Sequence, residues 1–196
     1  MAERVKMDRR VRRTRELLRT ALTTLIQERG YDRITVQDIL DEADVGRSTF
    51  YAHFRDKDDL LRSGFQDLRS MLTAENHQRE GRGAKAEFLR PVLGVIEHVG
   101  ENRHIWKSLA GKGGADLVLR ILRDNVVALL RDHFVTAFPG SGNDARRLEL
   151  AVQHVAGALM GVMTWWLEDD VPVPAEEIYE DFRMLALKGV RPFMNG

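Results

Sequence analysis

Between Arg47 and His53 the chain crowds its hydrogen-bond donors: Arg47, Ser48, Thr49, Tyr51 and His53 fall within seven residues. Side chains of these types donate to acceptor-rich surfaces, and phosphates and base edges are such surfaces. Phe50 and Phe54, spaced i, i+4, supply an apolar side to the same short run, with Val45 beside them. A helix this short does not survive alone in water, so a neighbour must brace it. The segment before it supplies one. Thr35 is a good N-cap and Asp38, three residues on, can return the bond. Val36, Ile39, Leu40 and Ala43 then recur at helical spacing. Asp44 falls where the chain must turn sharply, and Asp tolerates a left-handed backbone better than most residues. Gly46 follows as a modest N-cap. Two short helices across a tight turn make a helix-turn-helix, whose second helix enters the DNA major groove. The same spacing also fits an ordinary helical hairpin with a solvated polar face.

Gly30-Tyr31, Thr35, Ile39, Ala43, Val45, Arg47, Thr49, Phe50-Tyr51, His53-Phe54, Lys57 and Leu60 together resemble the N-terminal domain of TetR/AcrR-type transcriptional regulators. The resemblance covers about residues 12–62, and its Phe/Leu-Tyr-x-His-Phe-x-x-Lys core is far more specific than a bare helix-turn-helix. Two positions depart from the common pattern: Asp44 stands where Gly is usual, and Gly46 where Ser usually caps the second helix. The resemblance implies a homodimer on a palindromic double-stranded DNA operator, most often as a repressor. It assigns Arg47 and Ser48 to base edges, with Thr49 nearby, and Tyr51, His53, Lys57 and the Thr35 cap to phosphates. It further implies an unidentified small-molecule effector, with no cofactor. Binding of that effector would move the two recognition helices away from the roughly 34–36 Å of one DNA turn.

Composition agrees with a soluble, intracellular helical protein. Of 196 residues 43% are hydrophobic and 31% charged, and five prolines leave long uninterrupted runs. Absence of cysteine excludes disulfides and thiolate metal sites and fits a reducing cytosol. Charge begins at residue 3, unlike a signal peptide, and no apolar run approaches the ~20 residues of a membrane span. Net charge is zero, yet residues 1–57 carry a balance of +3 and the first fifteen hold seven basic side chains against two acidic. Nucleic-acid binding needs only such a local positive footprint. Residues 1–10 read as a flexible arm, either a solvated tail or one that tracks the minor groove.

The expected fold is all-α with about nine helices: a three-helix DNA-binding domain over 1–62 and a helical ligand-binding and dimerisation domain over 63–196. Helix 1 is expected over 10–29, with Leu17 and Ile26 widening a stripe of Leu18, Ala21, Leu22 and Leu25, and Gly30 as its stop. Asp56 caps a long fourth helix to about residue 78, which carries the domain boundary inside it. Breaks are expected at 80–84, 111–114, 139–143 and 169–174, and Pro91 should kink or divide a helix over 84–100. The helix over 116–138 carries Leu119, Leu122, Val126, Leu129, Leu130 and Phe134 on its inner side.

Helix 144–167 is apolar on most sides and must be covered nearly all round. Val155, Gly157, Ala158, Gly161, Met163 and Trp165 are therefore candidates for a contact with a second copy, although Gly157 and Gly161 could equally seat a helix of the same chain. In the resembling family the last two long helices of each subunit form the dimer. Phe88, His98, Trp106 and Met160 are candidates for a ligand pocket, or for plain core. His98, His104, His133 and His154 lack metal-ligand spacing. No nucleophile elbow or cysteine nucleophile supports an enzyme, the first rival. A second rival is a co-regulator of the same fold that grips a protein partner instead of DNA.

Overall fold

Nine α-helices and one 3-10 turn make up the regular structure of the computed structural model, which describes residues 2–80, 89–110, 115–138, 144–168 and 171–195; no strand occurs among them. The helices are α1 (Ala2–Arg29), α2 (Val36–Ala43), α3 (Arg47–Tyr51), α4 (Lys57–Glu80), α5 (Arg90–Glu101), α6 (Arg103–Ala110), α7 (Ala115–Ala137), α8 (Ala145–Glu168) and α9 (Ala175–Asn195). The breaks expected at 81–84, 111–114, 139–143 and 169–170 lie outside the described residues, and so does Phe88.

Leu18, Ala21, Leu22, Leu25 and Ile26 of α1 are buried as one stripe, while Leu17 stands outside it, 44% exposed. The arm expected over 1–10 is a continuation of α1, which begins at Ala2. No Gly or Pro interrupts residues 2–29, and Glu3 and Asp8 suit the positive end of a helix. Gly30 ends α1 at φ 76, ψ 154, a region open essentially to glycine, and its N–H closes on Ile26 O at 3.0 Å.

Pro91 does not kink a helix. It occupies the first turn of α5, where a missing N–H costs nothing. Helix α4 carries on from the N-terminal helices into the second half without a break: Leu60, Leu61 and Phe65 are buried near its start and Leu72 near Gly94 of α5. α5 packs against α9, α4, α7 and α6, and α8 packs against α7, α9 and α6. Their meeting point is Trp166, 2% exposed. Its Nε1 donates to Val173 O at 3.0 Å, the Arg103 guanidinium lies 4.6 Å above its ring, and Gly100 leaves room for the ring edge. In α7, Leu122, Val126, Leu129, Leu130 and Phe134 are buried as expected, whereas Leu119 is 36% exposed.

By length and composition α8 is apolar enough to cross a membrane, contrary to the expectation that no run comes close. Its inward face, Ala151 to Leu167, is instead buried in the fold. Two of the dimer candidates belong to that inward face: Val155 and Met163 are 1% and 2% exposed within their own chain. Gly157, Ala158, Gly161 and Trp165 lie on the opposite, exposed side.

Candidate nucleic-acid interface

The donor cluster is positioned by a chain of short-range devices. Thr35 caps α2 in a full capping box: its hydroxyl accepts from Asp38 N at 3.2 Å, and Asp38 Oδ2 accepts from Thr35 N at 2.8 Å and from the Thr35 hydroxyl at 2.6 Å. Those hydroxyl and backbone bonds, aided by Arg29 at 3.0 Å, hold the Asp38 carboxyl below the usual carboxylate range. Both Thr35 donors, which the resemblance assigned to phosphates, are turned to Asp38 here. Asp44 takes the left-handed conformation, φ 50 and ψ 49, and its N–H closes on Leu40 and Asp41 carbonyls. Val45 N then returns to Leu40 O at 3.1 Å.

α3 starts at Gly46, whose carbonyl accepts from Thr49 and Phe50 N–H. Phe50 and Phe54 are 0% and 2% exposed with ring centres 5.9 Å apart, and the Arg15 guanidinium of α1 lies 5.3 Å over Phe54. With that side fixed in the core, Arg47, Ser48, Thr49 and Tyr51 are all exposed on the other. His53 is half-buried against Phe54.

Gln37 is a residue the sequence reading missed. Its side-chain oxygen accepts from the Arg47 guanidinium at 2.8 Å, while its nitrogen donates to Asp41 at 2.8 Å. The guanidinium is thus aimed from α2 as well as from its own helix. A Gln and an Asp four apart on the exposed face of α2 was the available signal.

Lys57 differs most from expectation. Its ammonium donates to Tyr31 O at 3.1 Å and Ile34 O at 2.9 Å and sits 4.4 Å over the Tyr31 ring. The Tyr31 hydroxyl donates to Asp58, and burial together with that bond pushes the phenol above its ordinary range. The first two residues of α4 therefore clamp the connection between α1 and α2. Two of the three ammonium hydrogens of Lys57 are committed inward, which leaves one for a further acceptor.

The pocket candidates are not brought together. His98 and Trp106 share a cavity of about 310 Å³ with Leu22 and Ile26 of α1 and Leu61 and Phe65 of α4. Met160 lines a separate groove between α7 and α8 with Gly161 and Trp165. No cluster of metal-ligating side chains occurs among the described residues.

A capped helix, a left-handed turn and a second helix with its donors outward define a helix-turn-helix protein. Residues 18–63 match the family described as bacterial regulatory proteins, tetR family, and residues 90–188 match the transcriptional regulator C-terminal region. The chain belongs to the TetR family of transcriptional regulators. It is 42% identical over 62 residues to an uncharacterised HTH-type transcriptional regulator, YxbF, of Bacillus subtilis, 31% of this chain and 16% of that one. It is 25% identical over 96 residues to the dhaKLM operon transcriptional activator DhaS of Lactococcus lactis, 49% of this chain and 48% of that one. The matched segments span less than half the length of either relative. A TetR transcriptional regulator from Streptococcus agalactiae shares the fold, with a TM-score of 0.63 at 22% identity over 93% of this chain and 98% of that one.

Proposed function

We propose that the chain is a ligand-responsive repressor that binds a palindromic DNA operator as a homodimer in the cytoplasm, each copy setting α3 into one major groove. The observation that carries this is the outer face of α3, where Arg47, Ser48, Thr49 and Tyr51 are exposed above a fully buried Phe50. Arg47 suits the O6 and N7 acceptors of guanine, with Ser48 and Thr49 on neighbouring edges. Tyr51 and His53 suit phosphates, which fix register without reading sequence. In this reading residues 1–62 contact DNA, and residues 63–196 bind the effector and the second copy.

Exposed apolar and small residues on the last two helices support the dimer. Leu150, Gly157, Ala158, Gly161 and Trp165 are exposed along α8, and Met184 and Leu185 are 50% and 71% exposed on α9. Glycines at 157 and 161, with nothing within reach of an added Cβ, would let the backbone of a second copy approach.

Selection of bound duplexes from a random pool tests the function. The expected result is an inverted repeat with half-sites one helical turn apart. If no sequence is enriched, the chain does not act on DNA directly, and a co-regulator that grips a protein partner takes its place. A reporter under the selected operator tests the sign: removing the protein should raise expression.

A further inference from the structure

We infer that the cavity between the DNA-reading bundle and α5–α6 is the effector site, and that it takes an uncharged aromatic molecule of one or two rings bearing a hydroxyl. One wall is Leu22 and Ile26 of α1 with Leu61 of α4, and the other is His98 of α5 and Trp106 of α6, so this site straddles the boundary at residue 62 and does not lie wholly within 63–196. At about 310 Å³ it lies at the small end of the roughly 300–1,000 Å³ typical of ligand pockets.

Three observations set the class of ligand. Phe65 and Trp106 meet edge to face, 5.7 Å between centres, and present aromatic surface to a flat ring. The His98 ring makes no hydrogen bond among the described residues, which leaves it to serve a hydroxyl. Burial holds that imidazole towards its neutral form, against the pull of Glu101. Arg19, at the edge of the cavity, is already paired with Asp67. An anion would therefore find no unopposed positive charge, and a cation would meet the arginine.

Gly64 is the independent sign that this space is kept. It lies in the interior of α4, where glycine weakens a helix relative to alanine. Its φ is not in the left-handed region, and an added Cβ would meet only Arg19 Cδ, at 3.9 Å. Neither the backbone nor a close neighbour demands glycine there; the cavity it borders would shrink with any side chain.

Because α1 carries α2 against it, a molecule in this cavity acts on the spacing between α6 and the reading head. The Gln27–His104 contact, 3.1 Å between nitrogens, spans the same junction. A ligand shifts DNA affinity only as far as it prefers one spacing over the other, and the effect must be reciprocal. This coupling rests on the proposed regulator function; the existence of the site does not.

Calorimetric titration of the DNA-free protein with 2-naphthol tests the site. The expected result is one saturable site per chain, with naphthalene and 2-naphthoate each at least about tenfold weaker. Gly64→Leu should abolish binding, and Gly64→Ala, which keeps the helix, should weaken it at least about threefold. Should the leucine variant fail to fold, unchanged affinity in the alanine variant still overturns the site. Naphthoate binding as tightly as naphthol overturns the uncharged class, and no saturable naphthol binding overturns the whole inference. Repeating the titration on the operator complex should weaken naphthol by about fivefold or more, matched by an equal loss of operator affinity. Equal naphthol affinity with and without operator overturns the coupling. Naphthol binding by a protein that selects no DNA sinks the regulator function while the site stands.

Discussion

The reading head and the C-terminal half hold their shapes by different means. In the head, polar atoms set the geometry: the Thr35–Asp38 box, the left-handed Asp44, the Asp56 cap on Asp59 N and the Lys57 clamp each fix an angle. Apolar residues such as Phe50 and Phe54 anchor what those devices have aimed. In α5–α9 the order is reversed. Long helices meet through Val, Leu, Phe and Trp side chains, and polar bonds such as Trp166 Nε1 to Val173 O secure groups already buried. The surfaces differ accordingly. The head turns donors outward on a rigid, locally determined frame, while the C-terminal half leaves Trp165, Met184 and Leu185 exposed. One region presents a polar surface suited to a polar partner, and the other exposes apolar side chains suited to an apolar one.

The most drastic way to break that contrast is to put a charge on the apolar face. Gly161→Glu leaves the interior of its own chain untouched, since nothing lies within reach of its Cβ. Against a second copy the carboxylate would be buried unpaired, a cost of about 3–5 kcal/mol. Light scattering should show monomers, with operator affinity collapsing because two half-sites are no longer held together. An intact dimer would remove Gly161 from the interface.

Lys57→Met sharpens the contrast within the head. It keeps the length of the stem but deletes both carbonyl bonds and the cation over Tyr31. Charge-assisted bonds of this kind contribute about 1.5–3 kcal/mol, so urea denaturation should show a loss of roughly 2 kcal/mol. The slope of log K against log salt for DNA should hardly change. A lysine serving a phosphate would give the opposite pair of results: stability kept, and the slope reduced by about one unit.

What could be read from the sequence follows the same division. The box at Thr35, the turn at Asp44 and the cap at Asp56 each join residues three or four apart, so local spacing reveals them. Lys57 reaches carbonyls 23 and 26 residues away, and no local pattern points there. That Val155 and Met163 pack inside their own chain was not legible, because an almost wholly apolar helix does not say which of its sides faces its own chain. Pro91 was placed mid-helix because its effect depends on where the helix starts, and that start is not marked by a capping side chain. His98 and Trp106 line one wall of a cavity whose opposite wall, Leu22, Ile26 and Leu61, reads in the sequence as plain core.

Arg47→Ala separates base reading from phosphate holding. Loss of a bidentate contact should cost about 1–3 kcal/mol and relax preference at one position of each half-site. Gln37→Ala leaves that guanidinium in place but unaimed. It should cost less, weaken the preference at the same position, and add little in the double variant. Equal weakening on all sequences would make Arg47 a phosphate contact. Additive losses would show that Gln37 acts without Arg47.

The smallest effect tests whether the head has been tuned by its caps to the limit. Gly46 caps α3 without a side-chain bond, at φ −68 and ψ 148, a backbone that any residue adopts. Nothing lies within reach of an added Cβ, so a serine fits without displacement. Its hydroxyl could accept from the N–H of Ser48 or Thr49 in the first turn. Replacing glycine at a cap gains a few tenths of a kcal/mol from that bond. Restricting the unfolded chain contributes in the same direction, about 0.4–1 kcal/mol where the native backbone is compatible. Gly46→Ser should therefore stabilise the protein by roughly 0.5–1 kcal/mol in urea, a shift small beside that of Lys57→Met and opposite in sign. DNA affinity should hold or rise, since a hydroxyl at this position adds a donor near the donors of α3. A loss of stability would mean that residue 46 needs glycine after all, and that the start of α3 is held more tightly than its open surroundings indicate.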